Sequence, residues 1–213
     1  MMETDIIILA AGKGTRMKSA LPKVLHKLAG KSLLQHVVDS ANSVQNANIT
    51  VVTGHGSDEV RSSVSSSETS SLNYVEQTEQ LGTAHAVQMV VPNLGNGGTS
   101  LILYGDVPMI LPETIHEMLG AVSESSMSLL TVTLDDPTGY GRILRNESGQ
   151  GTAIIEQKDA STEQLKVREV NTGVLAVKTK QLKQWLPQID NNNAQGEYYL
   201  TDLIAIACSN GVT

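Results

Sequence analysis

The sequence predicts an α/β protein with a doubly wound, mostly parallel sheet and with mixed strands in its second half. Three observations predict this class. Short apolar runs typical of buried parallel strands alternate with helix-like stretches over the first half of the chain. This alternation, combined with right-handed crossovers, places helices on both faces of a sheet. The second half contains apolar strands with few helices between them, so we expect antiparallel or mixed pairing there.

The elements follow in chain order from these runs. The first run, residues 5–11, ends at Gly12, so we expect a buried strand that passes into a tight turn. Further strands of the first half are predicted at 49–53, 72–75 and 100–104. The helices between them are predicted at 33–43, 57–66 and 83–91. Strands of the second half are predicted at 128–134, 141–145, 152–156 and 170–177. Two final helices are predicted at 180–186 and 198–208.

Composition favours a soluble globular domain. The 213 residues are 40% apolar and 17% charged, and we assign residues 1–213 to one domain. No apolar run reaches the roughly 20 residues that span a bilayer, and the first residues carry acids where a signal peptide carries bases. The lone Cys208 excludes an internal disulfide. We therefore expect a cytoplasmic protein without a membrane partner.

Charge is distributed unevenly. The net charge of -7 argues against a general nucleic-acid binder. Between Asp5 and Asp39, however, there is no acidic residue. This basic segment contains Lys13, Arg16, Lys18, Lys23, Lys27 and Lys31. It is either a solvated basic surface or a local site for an anion.

A glycine-rich loop follows the first predicted strand. Residues 9–17 read Leu-Ala-Ala-Gly-Lys-Gly-Thr-Arg-Met. Small residues let a backbone approach a ligand closely, and successive N–H groups can bind an anion. The spacing does not fit a Walker loop, and Met17 replaces the third glycine of a dinucleotide loop. Taken alone, the loop is either a phosphate site or a structural turn.

Read together with Leu21-Pro22-Lys23, this string resembles the signature of sugar-nucleotide pyrophosphorylases. The resemblance implies the Rossmann-like sheet of nucleotide-diphospho-sugar transferases. It also implies that Arg16 and Lys23 act in catalysis on the phosphates. The residues that it assigns to UTP in this segment are Leu9, Ala10, Ala11, Gly12 and Lys23.

A second segment resembles the uracil-recognition loop of the same family. Residues 77–83 read Gln-Thr-Glu-Gln-Leu-Gly-Thr, just before a predicted helix. By its position, Thr83 is a candidate N-cap for that helix. The resemblance adds that Gln77, Gly82 and Thr83 bind the uridine.

A third segment, Tyr104-Gly105-Asp106, follows an apolar strand, and open parallel sheets bind ligands at such strand ends. A carboxylate there suits Mg²⁺, which takes one or two protein oxygens and several phosphate oxygens. Without the family, Asp106 could merely close a turn. The resemblance makes Asp106 the ligand of a catalytic Mg²⁺ and places all three residues at the sugar nucleotide.

Residues for an acceptor sugar are implied by the resemblance alone. Gly139-Tyr-Gly141-Arg, Glu156 and Asn171 lie at the margins of apolar strands and otherwise read as turn or strand-end residues. With residues 192–202, which we expect in the helix leading away from the site, they most resemble one group of bifunctional bacterial enzymes. These enzymes carry N-acetylglucosamine-1-phosphate uridylyltransferase and glucosamine-1-phosphate acetyltransferase activities. In that group, Gly141 and Asn171 would contact the N-acetylated sugar, and Glu156 a ring hydroxyl.

The resemblance covers the uridylyltransferase half alone. The hexapeptide repeats of the acetyltransferase β-helix are not in this sequence, so we expect a uridylyltransferase domain without it. We also expect the domain to be cut short after Thr213, before an asparagine that would complete the metal site. Because the β-helix forms the trimer in that family, we expect this chain to be a monomer.

The implied reaction joins UTP and N-acetylglucosamine-1-phosphate to give UDP-N-acetylglucosamine, a precursor of peptidoglycan and lipopolysaccharide, and pyrophosphate. A phosphate monoester is largely ionised near pH 7, so no protein base is needed. Catalysis then depends on positioning and on charge neutralisation by Mg²⁺, Arg16 and Lys23. Two alternatives stay open: a transferase for another nucleotide or sugar, and a chain that binds nucleotide sugar without turnover.

Overall fold

The computed structural model describes residues 3–12, 14, 17, 19, 21–65 and 71–212. The strands are β1 (Thr4–Leu9), β2 (Lys27–Leu28), β3 (Lys31–Ser32), β4 (Asn48–Thr53), β5 (Ser71–Glu76), β6 (Thr99–Tyr104), β7 (Ser128–Thr133), β8 (Arg142–Arg145), β9 (Gly151–Ile155) and β10 (Glu169–Lys178). The α-helices are α1 (Leu33–Ala41), α2 (Ser57–Ser63), α3 (Thr83–Gln88), α4 (Pro112–Gly120), α5 (Thr179–Trp185) and α6 (Asp202–Ser209).

Four parallel strands form one half of the central sheet, in the order β5-β4-β1-β6. Ile7 of β1 lies opposite Thr50 of β4 on one side and Ile102 of β6 on the other. The chain therefore builds outward from β1 to β5 and then returns to place β6 on the opposite side of β1. Such a reversal of strand order is where open α/β sheets bind their ligands.

Helices cover both faces of the sheet, as predicted. Ile6 and Ile8 belong to a buried cluster with residues of α1, α2 and α4. Ile7 and Leu9 belong to a second cluster with residues of α3, α5 and α6. This division follows from the alternation of side chains along a strand. The continuous apolar run of β1 is thus explained by burial on both faces.

The second half of the sheet is antiparallel, as expected from its strand-rich sequence. The long strand β10 pairs antiparallel with β6, with β7 and, at Val170, with β8. Its pairing with β7 shifts register between Asn171 and Leu175. β8 and β9 form an antiparallel pair, and α6 packs on it where Ile204 meets Ile154.

Three predicted helices differ in bounds by three or more residues, and the one expected at 57–66 ends at Ser63. The helix expected at 198–208 begins only at Asp202, because the backbone of Tyr198 pairs with the loop before α3 instead. The helix expected at 83–91 ends at Gln88. Pro92 explains this end, since a proline ring clashes with the carbonyl four residues earlier in a continuing helix. The hairpin of β2 and β3, inside the basic segment, was not predicted because two-residue strands leave no periodic signal.

Within the described part of the chain, no helix is both long enough and apolar enough to cross a bilayer.

Candidate active site

The loops after β1 and β6 lie side by side at the carboxyl edge of the parallel strands. The N–H of Ala10 donates to the carbonyl of Val52 at 2.8 Å, and the N–H of Gly105 donates to the carbonyl of Leu9 at 2.9 Å. Sheet-like bonds thus extend one residue past each strand and fix where both loops begin. The glycine loop and the Tyr104–Asp106 segment are therefore neighbours, as expected for adjacent parallel strands.

A cavity of ≈ 390 Å³ opens between these loops. Nine predicted site residues line it: Leu9, Ala10, Ala11, Gly12, Lys23, Gly82, Thr83, Tyr104 and Asp106. Four lining residues were not predicted: Gly14, Met17, Val24 and Ala86. Ala86 lies about one turn beyond Thr83 on α3, so helical spacing from an assigned residue could have indicated it.

Two opposite charges meet in this cavity. The Nζ of Lys23 lies 2.5 Å from Oδ2 of Asp106, and their side chains are 42% and 25% exposed. Lys23 begins a 3₁₀ turn, Lys23–Leu25, whose Val24 and Leu25 are buried in the core. The backbone that carries the lysine side chain is therefore held in place. The phosphate ligand and the metal ligand predicted from the sequence are thus direct neighbours.

The loop before α3 is held from two sides. Gln77, which is buried, donates from Nε2 to the carbonyl of Gly82 at 3.0 Å. Gly82 has φ 119° and ψ 175°, and an added Cβ would lie 2.4 Å from the carbonyl oxygen of Tyr198. The N–H of Ala84 donates to that same oxygen at 2.9 Å. Gln77 therefore shapes the loop from behind, while Gly82 lines the cavity.

Thr83 is not the side-chain cap that its position suggested. α3 begins after Gly82 and has no side-chain hydrogen bond at its cap. The Oγ1 of Thr83 instead accepts a hydrogen bond from the N–H of Leu200 at 2.9 Å. The prediction was wrong because the partner comes from a segment more than a hundred residues later, which local capping rules cannot include.

Tyr104 connects the cavity to the second half of the sheet. Its side chain is hydrogen-bonded to Thr83 and packs on Gly173 of β10, where an added Cβ would lie 2.4 Å from Cε2 of the ring. Burial raises the pKa of Tyr104 well above its ordinary value, and the nearby charges of Glu156 and Asp106 raise it further. A phenol is protonated at neutral pH even at its ordinary pKa of about 10, so the increase extends the protonated form further into alkaline pH.

The three predicted acceptor residues are brought together, although they come from three separate strands. The N–H of Asn171 donates to the carbonyl of Gly141 at 2.9 Å. An added Cβ on Gly141 would lie 3.2 Å from Oε1 of Glu156, so this carboxylate lies against a bare backbone. The side chain of Asn171 accepts from the N–H of Gly173 at 2.8 Å, which holds it at the register shift of β10.

Glu156 is a carboxylate in an unfavourable setting. Burial raises its pKa, and the charges of Asp159 and Asp202 add to the increase. The hydroxyl of Thr201 donates to Glu156 Oε1 at 3.3 Å, and this hydrogen bond offsets part of the increase in the pKa. A second cavity, of ≈ 190 Å³, lies at this point and includes Tyr199. The sequence interpretation missed Thr201 because it placed residues 198–202 in a helix leading away from the site.

Arg16, predicted to act in catalysis, lies outside the described residues.

Asp106 fits the role of a magnesium ligand. Among the described residues there is no cluster of three or more His, Cys, Asp or Glu side chains that could hold a metal ion. Mg²⁺ is usually held by one or two carboxylates together with substrate phosphates. A single, partly exposed carboxylate on a cavity with room for a phosphate-bearing ligand matches that donor set.

The fold and the cavity define a class of enzyme, the nucleotidyltransferases. Residues 6–159 match the family described as the MobA-like NTP transferase domain, and the chain belongs to this family. The predicted fold is also found in solved structures of UDP-glucose pyrophosphorylase, one without ligand (TM-score 0.75, 17% identity) and one complexed with UDP-glucose (TM-score 0.74, 18% identity). Each comparison covers 98% of this chain and 88% of the other.

Curated relatives are more similar in sequence. The chain is 54% identical over 213 residues to the Bifunctional protein GlmU of Marinobacter nauticus, covering 100% of this chain and 46% of that protein. It is 56% identical over 208 residues to the Bifunctional protein GlmU of Saccharophagus degradans, covering 98% and 45%. The group indicated by the sequence motifs is thereby confirmed. The chain spans about half the length of these relatives.

Proposed function

We propose that this chain transfers UMP from UTP to N-acetylglucosamine-1-phosphate, giving UDP-N-acetylglucosamine and pyrophosphate. One observation carries the proposal: described residues of the glycine loop, the Lys23–Asp106 pair and the Gly82 loop line one cavity, as a nucleoside triphosphate site requires. The similarity to GlmU proteins supports the choice of nucleotide and sugar.

In the proposal, the nucleotide lies along the cavity between the loops after β1 and β6. The small residues Ala10, Ala11 and Gly12 line the cavity without bulky side chains, so the triphosphate can approach this wall closely. The uracil ring lies at the Gly82 loop, whose backbone groups are presented in a fixed conformation because Gln77 holds the Gly82 carbonyl. Lys23 provides positive charge for the phosphates, at the cavity wall.

The acceptor sugar lies at Gly141, Glu156 and Asn171. These residues are joined to the nucleotide cavity through Tyr104, which lines that cavity and is close enough to Glu156 for the two groups to interact electrostatically. Glu156 offers a carboxylate acceptor that is largely buried and has few protein donors, so a sugar hydroxyl would find an available partner there.

In the proposed reaction, an ionised oxygen of the sugar-1-phosphate attacks the α-phosphorus of UTP. The bond between the α-phosphorus and the bridging oxygen breaks, and pyrophosphate leaves with the electron pair. The attacking monoester is already ionised near pH 7, so no proton has to be removed. Tyr104 is protonated near pH 7, as any tyrosine of ordinary or raised pKa is, so it can donate a hydrogen bond but does not act as a base. Lys23 offsets charge on the phosphates.

Asp106 would hold Mg²⁺ in this reaction. When bound, the metal supplies Lewis-acid polarisation and neutralises charge on phosphate oxygens. In the free protein the Asp106 carboxylate is paired with Lys23. The lysine and the carboxylate are therefore both within reach of one phosphate-binding point.

The test is pyrophosphate release from UTP and N-acetylglucosamine-1-phosphate with Mg²⁺, with the sugar nucleotide identified by mass. We expect turnover that stops with a chelator and returns with added Mg²⁺. Parallel reactions with dTTP, CTP and GTP, and with glucose-1-phosphate as acceptor, measure specificity. A faster reaction with GTP, or no product from any pair while UTP binds, would contradict the proposal.

A further inference from the structure

A buried arginine lies beside the acceptor residues. Arg142, the first residue of β8, is 2% exposed and stands opposite Ile155 of β9 and Val170 of β10. None of the ion pairs in the described part of the chain involves it. Its Nε is buried without a hydrogen-bond partner among the described residues. Hydrogen bonds from Thr138 lower the pKa of the exposed Asp136, and the charge of Arg142 lowers it further, so this carboxylate interacts with the guanidinium from outside ion-pair distance. Burying a guanidinium without an ion-paired carboxylate is costly, so some other requirement must favour this residue.

The guanidinium holds the turn that precedes it. Its Nη1 donates to the carbonyl of Tyr140, and its Nη2 donates to Oε1 of Gln157 at 3.1 Å. The same Oε1 accepts from the N–H of Gly139 at 2.7 Å. Arg142 and Gln157 therefore fix the backbone polar groups on both sides of Tyr140. Gly139 has φ 90°, a conformation that glycine adopts readily and other residues seldom do, so this turn needs a glycine as well as these bonds.

The turn fixed in this way carries an acceptor residue. Gly141 follows Tyr140, and its carbonyl is bonded to the N–H of Asn171. Its Cα faces Ile154 and Glu156 so closely that an added Cβ would lie 2.9 Å and 3.2 Å from them. A shift of the turn by an ångström would therefore change both the backbone of Gly141 and the space in front of Glu156.

We propose that Arg142, acting with Gln157, is a positioning residue that sets the geometry of the Gly139–Gly141 turn for the acceptor sugar. This inference rests on the proposed function. A role in stability alone is a weaker explanation, because replacing a buried charge with an apolar residue of similar volume is often neutral or stabilising. A positioning role predicts a loss confined to ligands that carry the sugar.

The test compares binding of UDP and UDP-N-acetylglucosamine by calorimetry, because UDP lacks the sugar. We expect the wild-type chain to bind the sugar nucleotide more tightly. In Arg142→Met the advantage of the sugar nucleotide falls by about tenfold, as expected for lost hydrogen bonds to a charged group, while UDP affinity stays within about twofold. Gln157→Leu has the same effect. Gln157→Glu retains the advantage, since its carboxylate still accepts both bonds.

Arg145→Met is the matched control, because Arg145 lies on the same strand but pairs with Glu169 at a partly exposed site. It should leave both affinities unchanged. An unchanged ratio in Arg142→Met or Gln157→Leu overturns the inference, as does an equal loss of both ligands. If Arg142→Met does not fold, Gln157→Leu decides alone. A wild-type chain that binds the sugar nucleotide no more tightly than UDP also overturns the inference, because there is then no sugar contact to position. Failure to form UDP-N-acetylglucosamine from UTP and N-acetylglucosamine-1-phosphate instead refutes the proposed function, so the two failures differ.

Discussion

Replacing Gly82 with alanine tests how the nucleotide loop is held. Gly82 has φ 119° and ψ 175°, a region that is essentially restricted to glycine. An added Cβ would lie 2.4 Å, 2.7 Å and 2.9 Å from the O, N and C atoms of Tyr198. These are backbone atoms, so no side-chain rotation relieves the overlap. The N–H of Tyr198 also donates to Leu81 at 2.8 Å, which ties the obstructing backbone in place.

The size of the effect follows from two contributions. Backbone strain at this φ and ψ costs about 1–3 kcal/mol for a non-glycine residue. Displacing a packed backbone segment costs about 1–3 kcal/mol more. Gly82→Ala should therefore lower the free energy of unfolding by about 2–6 kcal/mol, a large share of the stability of a typical domain. Because Gly82 lines the nucleotide cavity, the affinity for UTP should fall as well.

Urea unfolding and UTP binding measure both effects, with two glycines as controls. Gly149 has φ 79° and no atom near an added Cβ, so its alanine variant has the strain alone and should lose about 1–2 kcal/mol. Gly120, the last residue of α4, has neither a positive φ nor an atom near an added Cβ. Gly120→Ala should therefore be neutral or stabilise by up to about 1 kcal/mol. The reasoning is refuted if Gly82→Ala costs no more than Gly149→Ala.

Three further predictions concern the charges and the acceptor side. Asp106→Asn should lower kcat/KM roughly a hundredfold or more, whereas Asp39→Asn, which breaks the exposed Lys31–Asp39 pair, should change the rate less than about twofold. Because burial raises the pKa of Glu156, its ionised form opposes folding. Stability therefore falls as pH rises through the raised pKa, and Glu156→Gln should raise the melting temperature near pH 7.5 but not near pH 4. Gly173→Ala, which places a Cβ 2.4 Å from the Tyr104 ring at φ 88°, should destabilise by about 2–4 kcal/mol in urea and weaken sugar-nucleotide binding; unchanged stability would refute that contact.

The parallel half of the fold could be predicted because its signals are local. Each buried strand is an apolar run, and the order of strands follows from the alternation with helices and from the crossover rule. Placing the glycine loop and Asp106 at strand ends then predicts that they are neighbours, and they share one cavity. The Lys23–Asp106 distance needs the structure, since the two residues are 83 positions apart.

The acceptor side could not be assembled from local patterns. Gly141, Glu156 and Asn171 lie on or beside three antiparallel strands, and their proximity depends on a register that includes a shift inside β10. A one-residue change in such a register turns every side chain to the other face. Only the resemblance grouped these residues. Neither the local patterns nor the family resemblance indicated Arg142. An arginine at the start of a strand is typical of a surface charge, and only the structure shows that this one is buried.

The segment before α6, which was predicted to be helical, joins the loop before α3 to the carboxylate of Glu156. Residues 198–201 are not helical in the way the sequence predicted, and each end of this segment contacts a different subsite. Tyr198 bonds through its backbone to Leu81 and Ala84 at the nucleotide loop. Thr201 donates to Glu156 at the acceptor side. In a helix beginning at Tyr198, the carbonyl that accepts from Ala84 would be bonded within the helix instead, and the hydroxyl of Thr201 would be carried to a different position. This segment therefore connects the loop before α3 with the carboxylate after β9, and a fixed distance between the two is what the proposed transfer between two substrates would require.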